Sequence, residues 1–239
     1  MFKYINLLFV IILVSCSAKE RVTIDPLPPN PAVLSDIDST PEDDWIRLQW
    51  DVLTDNDLRT IQIYRFSPDF LPDPILIDTI SWMNTSYVDR LTDASISDLP
   101  RIDTDWYYFV RVINLHQQYS DSDTLNYKLT HKPILESPAN DMVFTDSSEI
   151  IFKWHRQGET TRLRLLLFSD STGELIWHYD EFIFIGDIEY EKRYDGESLP
   201  EGIYTWRVDS RGAADISGNY SSGSKSKERK LIIAKNISS

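Results

Sequence analysis

The sequence predicts an all-β protein built from two β-sandwiches in tandem. Two observations carry this. Short segments of period-two hydrophobic alternation follow one another with turn residues between them, and no stretch of a dozen residues holds a helical period. The pattern also restarts: Ile46, Leu48 and Trp50 of the first half recur as Ile150, Phe152 and Trp154 in the second. A chain of 239 residues suits one large domain or two of roughly 100 to 120 residues, and the restart decides for two. With 41% hydrophobic and 12% aromatic residues, each half can fill a core.

The elements follow in order. In Trp45-Ile46-Arg47-Leu48-Gln49-Trp50 the alternation turns Ile46, Leu48 and Trp50 inward and leaves Arg47 and Gln49 to water, with Trp45 on the polar side. Leu58 to Phe66 is the next strand, with Ile61 and Ile63 buried. Ile75 to Ile80 and Thr85 to Asp89 are shorter ones. Trp106 to Asn114 places Tyr108, Val110 and Val112 on one face, and Leu125 to Leu129 closes the first unit. Pro133 and Ser137-Pro138 mark the restart. Leu163, Leu165 and Leu167 form a strand. Gly173 opens a turn before Leu175-Ile176-Trp177. Leu199-Pro200-Glu201-Gly202 turns into Tyr204 to Val208, and Leu231 to Ile233 is last. Residues 212–227 read as a long polar loop rich in Gly and Ser. Lys225, Lys227, Arg229 and Lys230 read as a solvated strand edge. The expected domains are 32–132 and 133–235, with a tail at 236–239.

Ahead of them lies a different signal. Lys3 precedes an apolar run from Ile5 to Val14, broken only by Asn6. A permanent membrane span needs about 20 apolar residues; this run has the length of the apolar core of a secretory signal. It ends in Leu13-Val14-Ser15-Cys16, which resembles the bacterial lipobox, and Cys16 is the one Cys of the chain. The resemblance implies that residues 1–15 are a signal peptide, cut between Ser15 and Cys16, with a diacylglycerol on the Cys16 sulfur and an acyl chain on the freed amine. One acyl chain binds a membrane marginally and two or more hold it. Residues 16–31 would be the lipidated Cys and a tether, stiffened by Pro26, Pro28, Pro29 and Pro31. Ser17, where an Asp would imply retention in the inner membrane, leans toward the outer membrane of a bacterial envelope. Loss of residues 1–15 removes Lys3 alone, leaving 23 Lys+Arg against 38 Asp+Glu, a net −15. Anionic lipid repels such a body, so it stands off the membrane.

Both halves resemble immunoglobulin-like domains of the fibronectin type III kind. In the first, Pro28-Pro29 precedes the opening strand, Trp50 takes the place of the buried Trp of the second strand, and Ile61-Gln62-Ile63-Tyr64-Arg65 matches the third. Thr85 to Asp89 and Tyr108 to Asn114 match two later strands. The second resembles a bacterial version through Ser137 to Asn140, Phe152-Lys153-Trp154 and Leu199 to Val208. The resemblance covers about residues 25–235. It implies structural Tyr residues that tie their hydroxyls to main chain, with Tyr108 and Tyr204 as candidates. Residues 92–105 are longer than the family needs. No Arg-Gly-Asp is present, so integrin-type adhesion is not implied.

Charge narrows the function. Residues 22–132 carry 8 Lys+Arg against 19 Asp+Glu, a net −11, and residues 133–235 carry 13 against 18, a net −5. Nucleic acid, which needs a basic face, is not expected as a partner. A lone Cys allows no disulfide within the chain and no Cys-based zinc cage. His116, His131, His155 and His178 show no metal-ligand spacing, so no metal is expected. No Gly-x-Ser-x-Gly and no phosphate-cradling loop is present; no cofactor and no catalytic residue is expected. The acidic clusters lack calcium-loop spacing and read as solubilising charge. Four Trp fall outside the core pattern: Trp45, Trp82, Trp106 and Trp177. Exposed Trp can stack on sugar rings, so these are the candidates for ligand stacking, against packing under loops. The expectation is a non-enzymatic, envelope-anchored lipoprotein that acts as a spacer or binds a protein or glycan through loops or edge strands. A carbohydrate-binding lipoprotein of a polysaccharide uptake system and an accessory subunit of a secretion or motility complex are the alternatives.

Overall fold

In the computed structural model, residues 27–92, 99–158, 160–183, 188–212 and 221–234 are described. The signal segment, Ser15, Cys16, the tether up to Pro26 and the 236–239 tail lie outside them. The first unit holds β1 (Leu34–Ser39), β2 (Ile46–Trp50), β3 (Leu58–Ser67), β4 (Leu71–Ser81), β5 (Ser86–Asp89), β6 (Asp105–Asn114), β7 (Tyr119–Asp121) and β8 (Leu125–Leu129). The second holds β9 (Ile134–Ser137), β10 (Met142–Phe144), β11 (Ile151–His155), β12 (Arg162–Ser169), β13 (Leu175–Phe182), β14 (Glu189–Arg193), β15 (Gly202–Arg211), β16 (Ser222–Lys225) and β17 (Arg229–Ile233).

Each unit is a β-sandwich. One layer of the first is the antiparallel sheet β1-β2-β5, and the other runs β4-β3-β6-β8 with β7 also on β6. The second repeats this with β9-β11-β14 against β13-β12-β15-β17, and β10 lies parallel to β17 at the far edge. Inward alternates fill two separate cores. One centres on Ile46, Leu48, Ile61, Ile63, Val110 and Val112. The other centres on Phe152, Trp154, Leu163, Leu165, Trp206 and Val208. Register keeps each set inward, because a slip of one residue would expose it.

The first core also contains charge. The guanidinium of Arg65, fully buried, donates through Nη1 to Oδ2 of buried Asp89 at 2.7 Å. The Tyr108 hydroxyl donates to the same oxygen at 2.9 Å. Asp89 Oδ1 accepts from the Leu91 amide at 2.9 Å. That bond holds buried Leu91 at φ 52°, a left-handed backbone a Leu seldom adopts. Burial and the neighbouring Asp89 push the Tyr108 phenol well above its ordinary range, so it stays a donor. Tyr108 therefore serves a side chain and not the main chain, whereas the Tyr204 hydroxyl donates to the Pro200 carbonyl at 2.9 Å.

Candidate binding cleft at the domain junction

The sandwiches are fused edge to edge. Strand β16 pairs with β15 of its own unit through Asp209↔Lys225, Ser210↔Ser224 and Arg211↔Gly223. Its other edge lies parallel to β8 of the first unit, with Ser222↔Lys128 and Gly223↔Leu129 in register. The Lys128 amide donates to the Ser221 carbonyl at 2.9 Å and the Thr130 amide to the Gly223 carbonyl at 3.1 Å. One eleven-stranded sheet thus runs through both domains. The polar stretch read as a loop supplies this strand, because its small residues let two sheets approach.

Gly223 shows how close they come. A Cβ there would sit 2.5 Å from the Ser210 carbonyl oxygen and 3.1 Å from the Tyr127 hydroxyl. Below it, hydroxyls tie the domains together: Thr130 to Ser210 at 3.0 Å, Ser210 to Ser224 at 2.7 Å, and Ser224 to the His131 carbonyl at 2.9 Å. Gly223→Val is expected to pry β16 from its neighbours and destabilise the junction by about 1–3 kcal/mol, the usual cost of overpacking. Thermal unfolding with limited proteolysis of the 130–133 linker measures it; unchanged melting and cleavage would remove close packing as the reason for glycine.

Beside the fused strands a cleft of about 530 Å³ opens between β1, the start of β8 and the β15–β16 pair. Its floor carries an ion pair across the domains, Lys225 to Asp38. Lys225 is 9% exposed, which corrects its reading as part of a solvated edge. Arg229 of the same run donates to the carbonyls of Leu135, Glu136 and Pro138. The Tyr127 hydroxyl donates to Asp38 Oδ1 at 3.0 Å. Burial pushes the Asp209 carboxyl up, against the pull of Arg207 at 2.8 Å and of Lys225.

The Trp candidates lie elsewhere. Trp106 is fully buried, and its indole N–H donates to the Arg101 carbonyl at 3.2 Å. The expectation that it stacks on a ligand is corrected: it shares the inward face of β6 with Tyr108, Val110 and Val112. Arg65 lies 5.2 Å from its ring centroid on the core side. Trp45 is half-buried beneath the Arg90 guanidinium, 5.1 Å away. Trp82 packs half-buried against the first core. Trp177 stacks on Phe152 at 5.8 Å, meets Tyr194 edge-on and donates to Asp195 at 3.1 Å. Trp45 adjoins the Ile46↔Asp89 end of the β2–β5 pair and Trp82 the Gln49↔Ser86 end, while Trp177 belongs to the other sandwich. They form no common surface.

Sequence reasoning missed an aromatic cluster on the outward face of the first unit. Tyr64 stacks on Phe109 at 4.8 Å and Phe66 on Tyr107 at 5.2 Å. Arg111 lies 5.0 Å from Tyr64 and 4.0 Å from Tyr119. The signal was present: positions that should alternate to polar on two strands are aromatic. Among the described residues, no group of three His, Cys, Asp or Glu could hold a metal ion.

No family model matches the chain, and no curated protein matches it. The chicken CNTN1 FN1-FN3 domains, a solved structure, are 16% identical, with 87% of this chain and 69% of that one covered and a TM-score of 0.38. The spore cortex lytic enzyme SleM of Clostridium perfringens is 18% identical, with 44% and 29% covered and a TM-score of 0.30. At these scores neither bears on what the chain does. Each unit is fibronectin type III-like by its own strand order.

Proposed function

We propose that this chain is a non-enzymatic lipoprotein of the bacterial envelope, held by acyl chains on Cys16 and presenting a two-domain body that spaces and binds a partner. The fused sheet is the observation that carries the spacer reading. Domains joined only by a linker move relative to one another by default; here main-chain bonds, buried hydroxyls and an ion pair cross the joint. Such a body keeps a fixed reach from the membrane. The anchor rests on the apolar run and the lone Cys at its end, and Ser17 favours the outer membrane. The half-buried Trp residues give the glycan alternative no shared platform.

Two measurements test this. In a bacterial host the chain is expected to begin at Cys16 and to carry a diacylglycerol by mass spectrometry, and Cys16→Ser is expected to abolish lipid labelling. An unmodified Cys16 still joined to residue 15 would overturn the anchor. For the spacer, spin labels at Asp78→Cys and Thr172→Cys, placed in the Cys16→Ser chain, are expected to give one narrow distance distribution. A broad one would overturn it.

A further inference from the structure

We propose that this chain pairs with a second copy of itself through the outer edge of β13, the two β13 strands running antiparallel. This rests on the reading of the chain as a binding module and names one partner. The ends of the fused sheet are the reason. Two long strands end it, and among the described residues β4 pairs with β3 alone and β13 with β12 alone. Strand β4 carries Pro72 and Pro74, which blunt an edge because proline offers no N–H. Strand β13, Leu-Ile-Trp-His-Tyr-Asp-Glu-Phe, has no proline over its eight residues. The chain leaves β13 at its end, where the Ile183 amide donates to the Thr161 carbonyl at 3.3 Å. It re-enters beside β11, where the Ile188 carbonyl accepts from the Arg156 amide at 2.8 Å.

The two-residue period says which groups are offered. Ile183 donates toward the β12 side, so Phe182, Asp180 and His178 turn their N–H and C=O away from β12. Their side chains share the outward face of the sheet with Arg162, Arg164 and Leu166. Leu175 and Ile176 stand where the register shifts, each 44% exposed, and Phe182 at the other end is 64% exposed. Along the strand the outward order is apolar, His, Asp, apolar, and it complements its own reverse. About a twofold axis at Tyr179, His178 of each copy meets Asp180 of the other, and Phe182 of each meets the Leu175–Ile176 bend of the other. A contact on a twofold axis needs such self-complementarity. Each rung joins an imidazole N–H to a carboxylate, and Oδ1 of Asp180 accepts no hydrogen bond within the chain. A slide of two residues would set His178 against His178 and lose both rungs.

Charge does not oppose this contact, although the chain as a whole is at −14. Arg162 at 2.8 Å and Arg164 at 3.4 Å hold Asp180, so the two strands at this edge carry two cations against Asp180 and Glu181. A strand of another protein would find the same main-chain groups but not the matched order of side chains. The second copy is therefore the occupant this edge favours.

The test uses the full-length chain in detergent. Light scattering is expected to give a protein mass of two chains that falls to one on dilution. Tyr179 sits on the axis at a non-hydrogen-bonded pair, whose Cα atoms stand about 4.5 Å apart. In the Cys16→Ser chain, Tyr179→Cys is therefore expected to form a disulfide between copies under mild oxidant, and Glu181→Cys is not. His178→Pro, which removes an edge-facing N–H, is expected to raise the dimer dissociation constant at least tenfold. His178→Asp, which sets carboxylates opposite one another, is expected to do the same if the proline variant fails to fold. A mass of one chain at every concentration would overturn the proposal, as would a dimer that both His178 variants leave unchanged. So would crosslinking through His178→Cys in place of Tyr179→Cys, which belongs to the other register. Lipid labelling of Cys16 is read separately, and diluting the spin-labelled chain with unlabelled chain removes distances between copies. Failure of the anchor or the spacer is thus distinguishable from failure of this contact.

Discussion

Asp89→Ala is expected to destabilise the first sandwich by about 3–5 kcal/mol, the range seen when one partner of a buried ion pair is removed. The loss removes a charged partner of Arg65, whose guanidinium is fully buried, and takes away the acceptor of the Tyr108 hydroxyl. It also releases the Leu91 amide, so the left-handed turn loses the bond that holds it. Asp89→Asn, which keeps an acceptor but not the charge, is expected to cost less. Urea unfolding, followed through the near-ultraviolet signal of the Trp-rich cores, measures both. A change under about 1 kcal/mol for Asp89→Ala, the scale of an exposed pair, would mean that water reaches the site.

Trp106→Ala is expected to cost a similar amount, about 3–5 kcal/mol, the usual penalty for emptying a buried Trp site. Its ring fills the core between Tyr108 and Arg65 and ends in a satisfied N–H. Trp45→Ala, on a half-buried ring beneath Arg90, is expected to shift the unfolding midpoint little. The pair separates packing from recognition. A glycan-binding defect in Trp106→Ala would have to be read against its unfolding, which circular dichroism at the assay temperature reveals. Native-like melting of Trp106→Ala would sink the packing role.

The inward alternates made the sandwiches legible. Ile46, Leu48, Ile61, Ile63, Phe152, Leu163, Leu165 and Val208 all sit in the cores where period two places them. The alternation of β6 begins at Trp106, two residues ahead of Tyr108, so an indole at the strand's start joins the inward face. Strand β1 escaped notice for a physical reason: its register shifts between Leu34 and Asp36, and Asp38 is there to meet Lys225 and Tyr127. Strand β14 is Glu-Tyr-Glu-Lys-Arg, a polar edge on which Tyr190 stacks on Trp154. The cleft was illegible altogether. Asp38 and Lys225 meet across a separation of 187 residues, and no local period encodes such a meeting.

The shared strand also sets a timetable for biogenesis. Ser224 closes on the His131 carbonyl across 93 residues of later sequence. At a synthesis rate of about 5–20 residues per second, the ribosome would need several seconds to deliver the partner of β8. A nascent chain therefore carries an uncapped β8 margin until β16 has emerged, and that margin must be shielded from other chains meanwhile.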